Sequence, residues 1–195
     1  VLIVGAGLSG FGSARHLQRE CPERSFALLE SRDTLGGTWD LFRYPGIRSD
    51  SDMHTLGYEF KPWTEAKAIA DGPSILRYLS ETAAERGIDR HIRYQHKLRK
   101  AEWSTEDGVW TLSVEVGDDA EPRQFRCGFL LMCAGYYSYE HGHTPVFAGR
   151  ERFAGDGLDQ IVKDIRCAKR AVSTGHRADD RRHAHRQRPG RNQVL

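Results

Sequence analysis

Residues 1–10 read VLIVGAGLSG, and Glu30 follows twenty residues after the last glycine of this stretch. The apolar, β-branched run 1–4 predicts a buried parallel strand, and the three glycines form a Gly-x-Gly-x-x-Gly turn at its end. In a Rossmann-type unit this turn opens a helix whose N-terminus binds a pyrophosphate, and an acid ends the next strand. The stretch therefore predicts a dinucleotide-binding βαβ unit.

Each residue of the motif has its own predicted role. Gly5 allows the tight turn, Gly7 lets backbone amides approach the pyrophosphate, and Gly10 lets the helix pack closely on the strand. Glu30 is expected to accept hydrogen bonds from a ribose 2′-OH, which disfavours a nucleotide phosphorylated at that position.

The surroundings of the motif favour this interpretation over a glycine-rich turn in some other α/β protein. Residues 11–19 can form the helix and residues 26–29 the second strand. A second glycine pair, Gly36 and Gly37, follows six residues after the acid and suits another close approach of backbone to ligand. Two such turns indicate FAD, which is longer than one βαβ unit can cover.

Three further blocks follow: LGGTWD at 35–40, FRYPGIRSDSD at 42–52 and MHTLGY at 53–58. These blocks resemble the class B flavoprotein monooxygenases, which include Baeyer–Villiger and flavin-containing monooxygenases. Within that family they most resemble an actinobacterial, ethionamide-activating group. The resemblance runs from residue 1 to about 155. It implies an oxidoreductase dependent on FAD, NADPH and O₂.

The resemblance places one set of residues around FAD: Ser9 and Glu30 at the adenosine half, Gly37, Thr38, Trp39 and Asp40 along the ribityl and pyrophosphate region, and the backbone of Leu98 at the adenine. It places Arg48 and Ser49 where NADP contacts are expected. Asp50 matches the active-site acid of the family, which lies near the flavin ring and pairs with an arginine from a later segment.

Plainer structural roles are also consistent with several of these residues. Trp39 suits a core aromatic equally well, because large aromatic side chains are usually mostly buried. Asp50 and Asp52 lie in a Ser-Asp-Ser-Asp run directly before Met53, which is a good helix N-cap cluster. With the resemblance we expect a functional role for Asp50 and capping for Asp52.

Composition narrows the class of protein. The chain has 195 residues and a net charge of +2, without an apolar run long enough to cross a membrane. Cys21, Cys127, Cys133 and Cys167 show no metal-ligand spacing, so we expect no metal site and a reducing, cytoplasmic setting. The absence of a Cys-x-x-Cys pair argues against a flavin-dependent disulfide reductase.

Periodicity and turn residues predict five more elements: a helix over 75–86 ended by Gly87, strands over 91–103 and 109–116 joined by a hairpin turn at 105–108, and strands over 124–127 and 129–133. The predicted fold class is α/β, a Rossmann-like three-layer FAD-binding domain with a parallel sheet and a β-meander insertion. We expect a disordered or irregular C-terminal tail.

The predicted domain boundary separates a FAD-binding domain over 1–155 from a basic tail over 156–195, which carries ten Lys and Arg against five Asp. The Phe-x-Gly-x-x-x-His-x-x-x-Trp fingerprint of the family starts at Phe153, but Asp159 and Lys163 occupy its His and Trp positions. A frame-shifted or truncated gene, a basic arm that binds nucleic acid or acidic partners, and a divergent disordered end all remain open. We favour the first and expect no nucleic-acid partner.

The expected function is the FAD-binding portion of an NADPH- and O₂-dependent monooxygenase, truncated and inactive alone because the main NADPH-binding domain is absent. The resemblance implies a small-molecule substrate, either a ketone for Baeyer–Villiger oxidation or a thioether or thioamide for oxygenation at sulfur. The alternatives are a different oxidoreductase that is complete at this size, a non-catalytic protein that binds flavin or uses its basic tail, and a pseudogene product.

Overall fold

The computed structural model of the protein describes residues 1–118, 122–137, 146 and 148–152. Its elements, in chain order, are β1 (Leu2–Val4), α1 (Leu8–Glu20), β2 (Ala27–Leu29), α2 (Thr38–Leu41), α3 (Met53–Leu56), α4 (Gly72–Glu85), a 3₁₀ turn (Asp89–His91), β3 (Ile92–Arg93), β4 (His96–Ser104), β5 (Val109–Val116), β6 (Arg123–Cys127), β7 (Leu130–Met132) and a second 3₁₀ turn (Arg150–Arg152). Among these described residues, no helix is both long and apolar enough to span a membrane.

The chain divides into two compact units, Val1–Ser138 and Tyr139–Leu195. The first unit holds both sheets and the four α-helices, whereas the second is described only in part. The predicted tail over 156–195 lies outside the described residues, and the predicted domain boundary after residue 155 stays a prediction.

A parallel sheet with the strand order β3-β2-β1-β7 forms the centre of the first unit. Ile3 of β1 lies opposite Leu28 of β2, and both side chains are fully buried. They pack in one cluster with Phe11 of α1 and with Leu79 of α4, so both long helices cover this face of the sheet. The side-chain alternation of the short strands sends their other residues to the opposite face.

An antiparallel meander, β4-β5-β6, covers that opposite face. Leu112 and Val114 of β5 are fully buried against Leu29 of β2, with Leu2 and Leu130 packed at the margin. Helices, parallel sheet and meander form three layers, which confirms the predicted fold class.

The predicted helix over 75–86 is present but begins earlier, at Gly72. The side chain of Asp71 caps it by accepting a hydrogen bond from the Ser74 amide at 2.9 Å. Gly87 follows the helix with a φ of +63°, the left-handed conformation that commonly ends helices.

The predicted single strand over 91–103 is wrong. The structure divides it into β3, which belongs to the parallel sheet, and β4, which belongs to the meander. Gln95 has a φ of 54° between them, and its amide donates to the carbonyl oxygen of Arg32 at 2.9 Å. The next amide, of His96, donates to the carbonyl oxygen of Glu30 at 2.8 Å. These two bonds turn the chain out of one sheet into the other.

Candidate dinucleotide-binding site

Gly5 and Gly10 are required by packing within the protein. Gly5 has a φ of +107°, and a Cβ there would lie closer than 3.0 Å to the backbone carbonyl of Cys133, which follows β7. A Cβ at Gly10 would lie closer than 3.0 Å to the carbonyl oxygen of Gly5. The first turn of α1 therefore packs directly on the end of β1, as the motif predicts.

Gly7 is different, because its neighbours within the protein leave room for a side chain. Its φ of −102° is accessible to any residue, and a Cβ there would meet only Gly37, whose Cα would lie 3.6 Å away. Among the described residues nothing else comes within 4 Å of that position. A methyl group would fill a cradle that the protein itself leaves open, which fits a site for a bulky anion such as a pyrophosphate.

The second glycine turn forms the other wall of this cradle. The Gly36 amide donates to the carbonyl oxygen of Ala6 at 2.9 Å, which ties the two turns together. Gly37 has a φ of +54° and is the N-cap residue of α2, whose first helical residue is Thr38. The sequence motif predicts both turns, and the structure brings them into contact.

The N-terminus of α1 faces the same space. Gly7 caps the 13-residue helix without a side-chain hydrogen bond, and no acid occupies the first turn. The first amides of a helix lack intrahelical partners and favour an anion. Ser9, assigned to FAD by resemblance, is an exposed residue of this turn.

Glu30 is buried, with 7% of its surface exposed, at the end of β2. Its Oε2 accepts from the Ala6 amide at 2.9 Å, and its Oε1 accepts from the Arg32 amide at 3.0 Å. The Ser31 hydroxyl also donates to Oε1 at 3.4 Å, and a carboxylate has about four lone-pair sites, so one remains for a ribose hydroxyl. Glu30 thus holds the first glycine turn in place, a role that its sequence position did not reveal.

Asp40 sits at the centre of a polar cluster beside the second glycine turn. It pairs with the guanidinium of Arg32, accepts from Thr34 Oγ1 at 2.7 Å, and accepts from Arg43 Nη2 at 2.7 Å. Burial raises the pKa of the Asp40 carboxyl, but the hydrogen bonds from Thr34 and Arg43 and the charges of Arg32 and Arg43 outweigh burial, so its pKa lies below the usual range. The cluster clamps α2 against the loop that follows Glu30.

Asp40→Asn is expected to lower the free energy of unfolding at pH 7 by about 1.5–3 kcal/mol, because hydrogen bonds to a charged group are lost. The folded-state pKa of Asp40 is depressed, so this stabilisation is full above the unfolded pKa of about 3.9 and is lost as pH falls through the folded value. Urea unfolding at pH 7 and pH 3 measures the difference between variant and wild type. A difference that stays constant between the two pH values would contradict the assignment.

The segment with Arg48, Ser49 and Asp50 leads from the second glycine turn to α3. Ser49 is 2% exposed, and its hydroxyl accepts from the Ala70 amide at 3.2 Å and donates to the Ala70 carbonyl at 3.4 Å. This pairing joins two loops, so the Ser49 side chain is engaged inside the protein and its contact with NADP stays a prediction. Arg48 is exposed beside it.

Asp52 caps α3, with its Oδ1 accepting from the Thr55 amide at 2.9 Å, which confirms its predicted role. Asp50 is exposed. It lies near Tyr137, whose pKa is raised first by its hydrogen bond with Tyr136 and to a smaller extent by Asp50 and Tyr44.

Sequence analysis missed the aromatic surroundings of Asp50. The Tyr137 ring lies 4.4 Å from that of Tyr136 and 6.3 Å from that of Phe42, measured between centroids. Tyr136 is 87% exposed, which is unusual for a large side chain. The signal available in the sequence is the Tyr-Tyr pair that directly follows Gly135, shortly after the apolar run 129–132.

Trp39 and Leu98 are the two remaining residues that the resemblance assigns to FAD. Trp39, in α2, is half-buried and packs against the core between α1 and α4, which agrees with the plainer interpretation of this residue. Leu98 lies in β4, two residues beyond the His96 amide that bonds to Glu30, and an irregularity in strand register follows it at Leu98–Lys100. Its contact with an adenine stays a prediction.

A family model described as an NAD(P)-binding Rossmann-like domain matches residues 3–71. FAD-containing monooxygenase EthA of Mycolicibacterium smegmatis is 56% identical over 155 residues, which cover 80% of this chain and 31% of that protein. The chain is a homologue of the FAD-containing monooxygenases. Putative FAD-containing monooxygenase MymA of Mycobacterium tuberculosis is 52% identical over the same shares of both chains, 80% and 31%.

Solved structures give the same family. A steroid monooxygenase bound to NADP is 30% identical with a TM-score of 0.64, over 80% of this homologue and 29% of that chain. A complex of OTEMO with FAD and NADP is 26% identical with a TM-score of 0.62, over the same shares, 80% and 29%. The predicted resemblance to flavoprotein monooxygenases is confirmed, and this monooxygenase homologue spans about a third of the length of the curated relatives, 31% in both cases above.

Proposed function

We propose that the chain forms the FAD-binding part of an NADPH- and O₂-dependent flavoprotein monooxygenase. The observation that carries this proposal is the cradle between Gly7 and Gly37, where two glycine turns from separate segments meet and leave space that no described side chain fills. One glycine turn suffices for a short dinucleotide contact. The second turn suits a ligand that continues past the pyrophosphate, as FAD does.

The described residues divide the work of holding FAD. The first amides of α1 bind the pyrophosphate, and the remaining lone-pair site of Glu30 accepts from the ribose. The ion pair between Asp40 and Arg32 holds the second turn in place. When bound, FAD supplies the redox chemistry that activates O₂, and the protein positions it and excludes water.

The names of relatives support a proposed substrate class. Enzymes with a steroid or an S-allyl-L-cysteine substrate in their names share this fold, so the proposed substrates are ketones or compounds with an oxidisable sulfur. Asp50, exposed beside Tyr137, is the proposed acid near the flavin ring, and a reducing cytoplasm is the proposed location. NADPH oxidation is proposed for the whole protein rather than for the described residues alone.

Gly7→Ala tests the cradle without disturbing the fold. Its methyl group meets only Gly37 at 3.6 Å, so we expect an unchanged thermal midpoint without ligand. Affinity for FAD is expected to fall roughly tenfold to hundredfold, because the methyl group overlaps the ligand. Titration of the purified protein with FAD, followed by quenching of flavin fluorescence, measures the dissociation constant.

Gly128→Ala is the matched control, since Gly128 is exposed and a Cβ there meets nothing within 4 Å. We expect it to leave both the midpoint and the FAD affinity unchanged. Equal FAD affinity in Gly7→Ala and the wild type would sink the proposed site, and a wild type that binds no FAD would sink the proposed function.

A further inference from the structure

Tyr58 contacts the first turn of α1, which forms part of the candidate site. It follows α3 directly, after Gly57, and its hydroxyl donates to the carbonyl oxygen of Leu8 at 2.6 Å. Leu8 is the first residue of α1. One turn later, a Cβ at Gly12 would lie only 3.3 Å from Cε1 of the Tyr58 ring, so the ring packs tightly over the first turn of the helix.

Tyr58 is also fixed by contacts with residues outside α1, namely Tyr78 and Phe60. Its backbone amide donates to the hydroxyl of Tyr78 at 2.8 Å, and that hydroxyl donates to the carbonyl oxygen of Lys61 at 2.6 Å. The ring stacks on Phe60, with centroids 4.7 Å apart and planes 10° from parallel. Burial raises the pKa of the Tyr58 phenol well above its usual range, so its hydroxyl keeps its proton and remains a donor.

The bond to Leu8 fixes more than a carbonyl group. The Leu8 carbonyl and the Ser9 amide belong to the same planar peptide unit, so a bond that holds one orients the other. In a helix the two groups point in opposite directions, and the Ser9 amide points out of the N-terminus, where it has no intrahelical partner. Holding the Leu8 oxygen therefore aims the Ser9 amide at the cradle beside Gly7.

We propose that Tyr58 is a positioning residue of the dinucleotide site, which orients the first free amides of α1 through its bond to Leu8. This inference rests on the proposed function, because it needs a pyrophosphate at that N-terminus. Tyr58 belongs to the loop after α3, so its bond to Leu8 connects that loop, eight residues after Asp50, to the site. The glycine motif and Glu30 do not by themselves predict a positioning residue at Tyr58.

Tyr58→Phe tests the inference, because it removes one oxygen and keeps the stacked ring. We expect its dissociation constants for FAD and for ADP, which carries the same pyrophosphate, to rise by one common factor of roughly three to ten, the loss of one hydrogen bond. Thr82→Val is the matched control. It removes a buried hydroxyl that also donates to a carbonyl at 2.6 Å, but that carbonyl is the backbone oxygen of Tyr78, so the bond stays within α4. Thermal midpoints without ligand report the structural cost of both.

The inference holds if Tyr58→Phe weakens binding of both ligands more than Thr82→Val does at a comparable loss of thermal midpoint. It is overturned if Tyr58→Phe binds FAD as the wild type does, or if the two variants lose affinity equally. Should Tyr58→Phe not fold, Gly12→Ala is the second variant, because its methyl group presses on the Tyr58 ring and moves the hydroxyl away from Leu8. Unchanged FAD affinity in Gly12→Ala overturns the inference as well. A wild type that binds neither ligand overturns the proposed function together with it.

Discussion

Gly10→Ala is expected to destabilise the first unit strongly, so that part of the variant is recovered without native secondary structure. Its Cβ would lie closer than 3.0 Å to the Gly5 carbonyl oxygen, which is backbone and cannot rotate away. The helix cannot move outward to relieve the clash, because Phe11 and Ala14 are fully buried beneath it. We expect a loss of at least about 3 kcal/mol, the upper end for an overpacked core and a large part of the 5–15 kcal/mol that stabilises a typical domain.

Circular dichroism and urea unfolding measure this loss. Gly128→Ala again serves as the control, since it makes the same chemical change at an exposed position with free space around it. A Gly10→Ala protein that unfolds at the wild-type urea concentration would show that α1 does not pack on β1 as described.

Glu30→Ala is expected to lower both stability and FAD affinity, with a stability loss of about 3 kcal/mol or more. The change removes a charged acceptor from two amides, those of Ala6 and Arg32, and each such bond contributes about 1.5–3 kcal/mol. The Ala6 amide is buried between the two glycine turns, so no water replaces the lost partner. Urea unfolding gives the stability, and FAD titration of the folded fraction gives the affinity.

Glu30→Gln separates the acceptor from the charge. A glutamine has one acceptor oxygen, so it can satisfy one of the two amides while its own NH₂ group faces the other. We expect a stability between those of the alanine variant and the wild type. A glutamine variant as stable as the wild type would mean that a single acceptor supports the turn, contrary to the geometry described above.

The sequence predicted what depends on local chemistry. The run 1–4, the three glycines of the first motif and the apolar positions of α1 gave the βαβ unit, because periodicity and glycine spacing are read within a few residues. Gly87 marked the end of α4, and the turn at 105–108 marked the meander, for the same reason. Asp52 was recognised as a cap from its neighbours alone.

What the sequence did not reveal depends on partners far along the chain. Gln95 is not a glycine, and its positive φ is imposed by the bond of its amide to Arg32, so the break between β3 and β4 carries no local signal. Ser49 pairs with Ala70 across twenty-one residues. Tyr58 reaches Leu8 across fifty. Side-chain roles of this kind follow from packing, which composition and spacing do not specify.

The pairing of β7 with β1 has a consequence for how the protein folds. Leu130 lies beside Leu2 in the sheet, so the first strand waits for a partner that is synthesised last among the sheet strands. The strands of the meander pair only with their neighbours in sequence and can form early, whereas closing a loop as long as the one between β1 and β7 is slow. Because Cys133 packs against Gly5, the first glycine turn acquires its final shape only when β7 docks on β1. We therefore expect nascent chains that end before Cys133 to depend on chaperones and to bind no nucleotide.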